Sequence, residues 1–186
     1  MTNYSALKKA DRALQQEQLK QLDIIYPSSA IIWWQNYGWR ETRIMRRFAT
    51  SQQIWDECAA DNNVSILQML ENETGIELKL REDDKSWHEL AYFDTSVDYG
   101  ELTLPKLIYM RQQQKKWVGA SIMAGICLSL SRDEHWGAGR LLIFIQQAQA
   151  FIAELGEDTR LYQEKMLEVT GIKMSRLWND EKEESA

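Results

Sequence analysis

Proline occurs twice and glycine nine times in the 186 residues. So few breakers argue against a many-turned sandwich or barrel and favour long helices. Cysteine is as scarce: Cys58 and Cys127 stand far apart, each in an apolar, helical-looking run. Two such thiols form no disulfide framework, so a reducing, cytoplasmic setting is expected. The polar, charged stretch Met1–Gln21 has no apolar centre of the signal-peptide kind. The most apolar run, Trp117–Leu130, has 14 residues, whereas a membrane span needs about 20, so it reads as a buried core helix.

Residues that carry chemistry are also thin on the ground. His88 and His135 are the two histidines, and neither has a His-x3-His or Cys-x2-Cys context. His135 with Asp133 and Glu134 invites a metal or general-base reading, but the spacing favours a structural role and no metal site is expected. Gly137 and Gly139 lack the remaining spacing of a phosphate loop, and no Ser, Cys or Lys nucleophile signature is present. The expectation is a protein that is not an enzyme and needs no cofactor.

What is present is apolar and aromatic. Hydrophobic residues make up 44% of the chain, with eight Trp and seven Tyr, enough to bury a core. The net charge of −6 is unevenly spread. Residues 71–101 hold ten acids against three bases, a local charge of −7, so the remainder is about neutral. That balance is the wrong footprint for a general nucleic-acid binder.

Periodicity predicts an all-α fold. Ser5–Leu22 reads as a helix, followed by Asp23–Tyr26 and then Pro27, where a new helix begins with Ser28 and Ser29 as caps and Ala30–Trp34 as a short buried stretch. After Gly38, Ile44, Phe48, Ser51, Trp55 and Cys58 share one helical face. Ser65 and Gln68 form a capping box ahead of a helix that Gly75 stops. Thr103 and Pro105 open a helix through Glu134, which Gly137 and Gly139 break. Leu141, Phe144, Ala148, Phe151 and Leu155 repeat the helical spacing, and Asp158 or Thr159 caps a last helix that Gly171 stops.

The tripeptide Thr-Gly-Ile occurs at 74–76 and again at 170–172, and other anchors fall in the same order: Gly38 with Gly137, Phe48 with Phe144, Trp55 with Phe151. The offset falls from 99 at the glycines to 96 thereafter. An internal repeat is expected: two tandem pseudo-symmetric three-helix units. The chain then divides into an N-terminal helix (1–26), a first repeat (27–80), an acidic linker (81–104), a second repeat (105–178) and a disordered tail (179–186). Trp55 and Phe151 are expected to be equivalent, buried core positions. Leu90–Tyr99 is β-prone and could form a short hairpin.

Asn36–Phe48 with Leu70–Leu78, and Arg132–Leu142 with Leu167–Met174, carry a pattern of an aromatic-Gly-x-Gly-basic turn followed by an acidic-x-Thr-Gly-Ile helix end. In this the chain resembles small proteins of phages and prophages of Gram-positive bacteria, over about half its length. Arg40 replaces the second glycine in the first copy, and the second copy lacks most of the basic residues. The resemblance implies an origin in a phage or mobile element and a bacterial host cell, with no activity to carry over.

Two surfaces compete for a function. The acidic linker, with Asp83, Asp84, Trp87, Tyr92, Phe93, Asp94, Asp98 and Tyr99, has the aromatic-in-charged anatomy of a docking surface for a protein with a basic groove. That reading makes the chain an occluding inhibitor of a host or phage protein, of the anti-CRISPR kind. The plainer alternative is a solvated connector whose aromatics pack on the helices. The second surface is the helix carrying Arg40, Arg43, Arg46 and Arg47, which could track a nucleic-acid backbone as a DNA-binding regulator. Its plainer reading is a solvated edge paired with acids of the same chain, for which the acidic segment that follows offers partners. A homo-oligomer is compatible with either.

Overall fold

The computed structural model describes residues 2–60, 66–78 and 103–175. Among these residues the fold is all-α: α1 (Thr2–Tyr37), α2 (Glu41–Ala60), α3 (Ile66–Thr74), α4 (Leu104–Glu134), α5 (Ala138–Leu155) and α6 (Thr159–Thr170). The hairpin expected within Leu90–Tyr99, the Ser65 end of the capping box and the C-terminal tail lie outside the described residues.

The break expected at Pro27 is absent, and α1 runs through it. Proline removes one backbone donor and crowds the carbonyl four residues back, a cost of about 3 kcal/mol in a helix interior. Two neighbours change the local bonding: Ser28 Oγ donates to the Ile24 carbonyl at 2.6 Å, and Ser29 Oγ to that of Ile25 at 2.8 Å. These serines are therefore not caps but back-bonded residues inside the helix. Every residue from Ile24 to Trp33, Pro27 included, is buried, so packing outweighs the local preference. A boundary between 26 and 27 falls in the middle of a continuous helix. Within Ser5–Leu22, helical as expected, Leu19 is exposed.

The two long helices, α1 and α4, lie against each other, and the shorter ones cover them crosswise. Helices α5 and α6 pack on α1, while α2 and α3 pack on α4. Each half thus covers the long helix of the other, and contacts of α1 with α2 or of α4 with α5 are sparse. One shared core results, running from Ile24 to Met174. The apolar run Trp117–Leu130 is its centre, with Trp117, Ile122, Ile126, Leu128 and Leu130 buried as expected of a core helix.

The repeated Thr-Gly-Ile has a concrete physical reason. Thr74 Oγ1 donates to the Leu70 carbonyl at 2.7 Å and accepts from the Ile76 N–H at 3.3 Å. Thr170 does the same with Met166 and Ile172, at 2.7 and 3.1 Å. Gly75 and Gly171 take φ of 73° and 74°, a left-handed conformation that disfavours a side chain, and both isoleucines are buried. Each tripeptide is a complete helix stop: hydroxyl, left-handed residue, hydrophobic return.

The glycine-based register at the other turn needs correction. Gly38 is left-handed (φ 65°), but its conformational counterpart is His135 (φ 54°), not Gly137, which has φ −75° and caps the start of α5. Trp39 donates its N–H to the Trp33 carbonyl at 3.1 Å, and Trp136 donates to that of Leu130 at 3.2 Å. The turns match at an offset of 97, with Trp39 facing Trp136. Histidine in a left-handed position misled an alignment anchored on glycine. Gly139 breaks nothing; it lies in the first turn of α5.

Ile44, Phe48 and Ser51 are buried as predicted, and so are Leu141, Phe144 and Ala148. Trp55 and Phe151 are only partly buried, packed against the edge of the core. At the turn's offset, Trp55 corresponds to Ile152 rather than to Phe151.

The crossing of α2 and α4 is set by Gly125. A Cβ there would meet Ser51 Oγ at 2.9 Å and Trp55 Cδ1 and Nε1 at 3.0 Å. Gly125→Ala is expected to lower unfolding free energy by about 1–3 kcal/mol, the range for overpacking. Gly139→Ala, with nothing within 4 Å of the new Cβ, should instead raise it by up to about 1 kcal/mol through helix propensity. Urea denaturation of both variants checks the pair.

Candidate functional site

The acidic candidates Asp83, Asp84, Trp87, Tyr92, Phe93, Asp94, Asp98 and Tyr99 lie outside the described residues. The arginines of α2 lie within them, and the fold gives the four unlike surroundings.

Arg43 and Arg47, one turn apart, reach across to the last turn of α4. Arg43 binds Glu134 through two nitrogens: Nε donates to Oε1 at 3.2 Å and Nη2 donates to Oε2. Arg47 is 5% exposed; its Nη1 donates to Asp133 Oδ2 and to the Ser129 carbonyl at 3.4 Å, and its Nε lies 3.6 Å from Glu134 Oε1. Thr50 Oγ1 also donates to Asp133, at 3.1 Å. Two carboxylates at a helix C-terminus face the negative end of the helix dipole. The guanidinium groups of α2 offset that repulsion and pin α2 to α4. Two residues of the stripe, Arg43 and Arg47, thus pair with Glu134 and Asp133 of their own chain, and Arg47 is buried rather than on a solvated edge.

These contacts shift titration in the expected directions. The hydrogen bond from Arg43 holds the Glu134 carboxyl below the usual glutamate range, and the same bond raises Arg43. In α1, burial pushes the Asp23 carboxyl up, against a hydrogen bond with Gln163.

The other two arginines remain exposed. Arg40 lies over the Trp34 ring at 4.5 Å. Arg46, with Thr42, Arg43 and Glu134, lines an open cleft of about 410 Å³. At the start of α5, Arg140 lies over Trp136 at 4.1 Å and Tyr37 at 5.1 Å, much as Arg43 lies over Trp39 at 4.3 Å. Tyr37 and Trp136 are themselves 4.9 Å apart, so both turns meet at one end of the molecule. Among the described residues, Arg40, Arg46 and Arg140 have no carboxylate partner. Sequence reasoning did not single out Arg140 and treated Asp133 and Glu134 only as companions of His135. The missed signal was two acids closing a long helix, a placement that calls for nearby cations.

Other reactive groups are placed structurally. Cys127 is fully buried, and desolvation pushes its thiol up to about 12, which keeps it protonated and unreactive. His135 is the left-handed residue that ends α4 and is exposed; His88 lies outside the described residues. Among the described residues no group of three His, Cys, Asp or Glu side chains is arranged to hold a metal ion. No helix among them is long and apolar enough to cross a membrane.

Truncating Arg47 removes the cation hydrogen-bonded to Asp133 and leaves Glu134 to Arg43 alone. Arg47→Ala should cost about 2–4 kcal/mol in denaturant unfolding, whereas Arg40→Ala should cost no more than about 1 kcal/mol, the worth of an exposed cation–π contact. Because the folded-state pKa of Glu134 is depressed, its pairing contributes stability that is fully present above the ordinary glutamate value of about 4.3 and is lost as pH falls through the depressed value. Asp23, raised by burial, has the opposite slope. Thermal melts between pH 7 and pH 3 should therefore fall less steeply in Glu134→Gln than in the wild type.

Comparison of the chain with known protein families, curated proteins and solved structures finds no match.

Proposed function

We propose that this chain is a non-catalytic binding protein of a phage or mobile element, which uses the acidic segment 82–101 to occlude a protein partner with a basic groove. One observation carries this reading. Four arginines of the helical scaffold already have carboxylate partners within it: Arg43 and Arg47 at Glu134 and Asp133, Arg132 at Glu73, and Arg111 at Asp11. The acids of the connector are thus not required as counter-charges for these groups. They fit a groove that ordinarily holds nucleic acid, such as that of a defence nuclease. The reciprocal cover of α1 and α4, together with the matched helix stops, supports descent of both halves from one duplicated unit.

A second reading, a helical DNA-binding regulator, is favoured by Arg40, Arg46 and Arg140, which have no carboxylate partner among the described residues. The two are separated by affinity capture of the partner followed by binding assays on two variants. Neutralising Asp83, Asp84, Asp94 and Asp98 to asparagine should weaken partner binding at least tenfold, mostly through slower association at low salt. Arg40→Ala with Arg46→Ala should leave it nearly unchanged, and the wild type should not bind free duplex DNA. Duplex binding that weakens steeply with salt and vanishes in the arginine variant would instead establish the regulator.

A further inference from the structure

The outer face of α5 differs from the rest of the surface of this charged protein. Between Arg140 and Glu154 the helix has no charged residue at all. Its exposed positions are Leu142, Ile143, Gln146, Gln149, Ala150 and Ala153, with Leu142 46% and Ile143 53% exposed. At the turn's offset of 97, the corresponding exposed positions of α2 include Arg46 and Asp56. Absence of charge in the middle of an exposed face, with charge at its ends, is the compositional mark of an interface core inside a polar rim.

The order of residues along the face identifies the occupant. Large side chains, Leu142 and Ile143, occupy the N-terminal half, and small ones, Ala150 and Ala153, the C-terminal half. The single basic residue, Arg140, stands at one end and the acidic Glu154 at the other, each seven residues from Gln147. Helical spacing of 100° per residue puts Arg140 and Glu154 on the same edge of the face. Neither has an ion-pair partner among the described residues. A two-fold axis through the middle of α5 reverses one copy against the other. It brings Leu142 and Ile143 of each chain over Ala153 and Ala150 of its mate, and Arg140 of each beside Glu154 of the other.

We propose that α5 is the homodimer interface, with two copies packed antiparallel across a two-fold axis at the level of Gln147. The surface is self-complementary in both size and charge, as an isologous contact requires. It uses neither the acidic connector nor the arginines of α2. One helix face against another lies at the low end of interface sizes, below about 1,200 Å² in total, so the dimer is concentration-dependent.

Analytical ultracentrifugation from low-micromolar to near-millimolar protein tests this, with circular dichroism confirming that each variant is folded. The wild type should pass from monomer to dimer across that range. Ile143→Glu, an exposed substitution, should remain monomeric. Arg140→Glu and Glu154→Arg should each weaken the dimer about tenfold, since two pairs are reversed per dimer, and the double variant should recover wild-type association. A wild type that stays monomeric at near-millimolar concentration overturns the proposal, as does a dimer that persists in Ile143→Glu. Failure of the double charge reversal to rescue association overturns the antiparallel register.

Discussion

Trp33 is the contact on which the two halves of the fold depend. Its indole is fully buried and lies 5.1 Å from the ring of Trp39, 5.3 Å from Phe48 and 5.6 Å from Phe144. Phe48 belongs to α2 and Phe144 to α5, so a single side chain of α1 joins the second helix of both halves. The column extends from Phe48 to Tyr26, stacked at 4.3 Å, and from Phe144 to Trp136 at 6.1 Å. Burial of rings this large, with their added ring-to-ring attraction, is among the strongest stabilising contributions available to a helical core. It also accounts for the continuity of α1 through Pro27. A break in the helix there would displace Trp33 from the column, and the packing lost would exceed the helical hydrogen bond that proline removes.

The crosswise cover of the long helices follows from the same geometry. Helices α5 and α6 lie on α1, and α2 and α3 lie on α4, so each long helix is covered mainly by the other half. The polar contacts repeat this pattern of exchange. Arg43 and Arg47 of α2 hold the end of α4, Arg132 of α4 holds Glu73 of α3, and Lys20 of α1 meets Glu157 beyond α5 at 2.5 Å. Most of these pairs are partly exposed and contribute little individually. Arg47 differs because it is buried among the helices it connects.

Much of the secondary structure was legible in the amino-acid order, because its signals act within a few residues. The spacing of Ile44, Phe48 and Ser51 on α2, and of Leu141, Phe144 and Ala148 on α5, marks the buried faces. Asp158 caps α6 by accepting the Arg160 N–H at 3.1 Å, and the two Thr-Gly-Ile stops are complete hydrogen-bonded units. Half of the arginine site was legible as well. The one-turn spacing of Arg43 and Arg47 placed them together, but their partners lie 91 and 86 residues away along the chain, respectively.

The sequence by itself determined the helix stops at the two Thr-Gly-Ile sites, the cap of α6 and the central buried faces of α2 and α5, since caps, left-handed residues and periodicity are local and nearly independent of the rest of the chain. Only the tertiary structure decided three other matters: that α1 survives Pro27, that His135 takes the place of a glycine, and that each long helix is covered by the other half. Those outcomes depend on side chains distant in sequence converging in one core. There the volume of Trp33 and the charge of Arg47 outweigh the preferences of single residues.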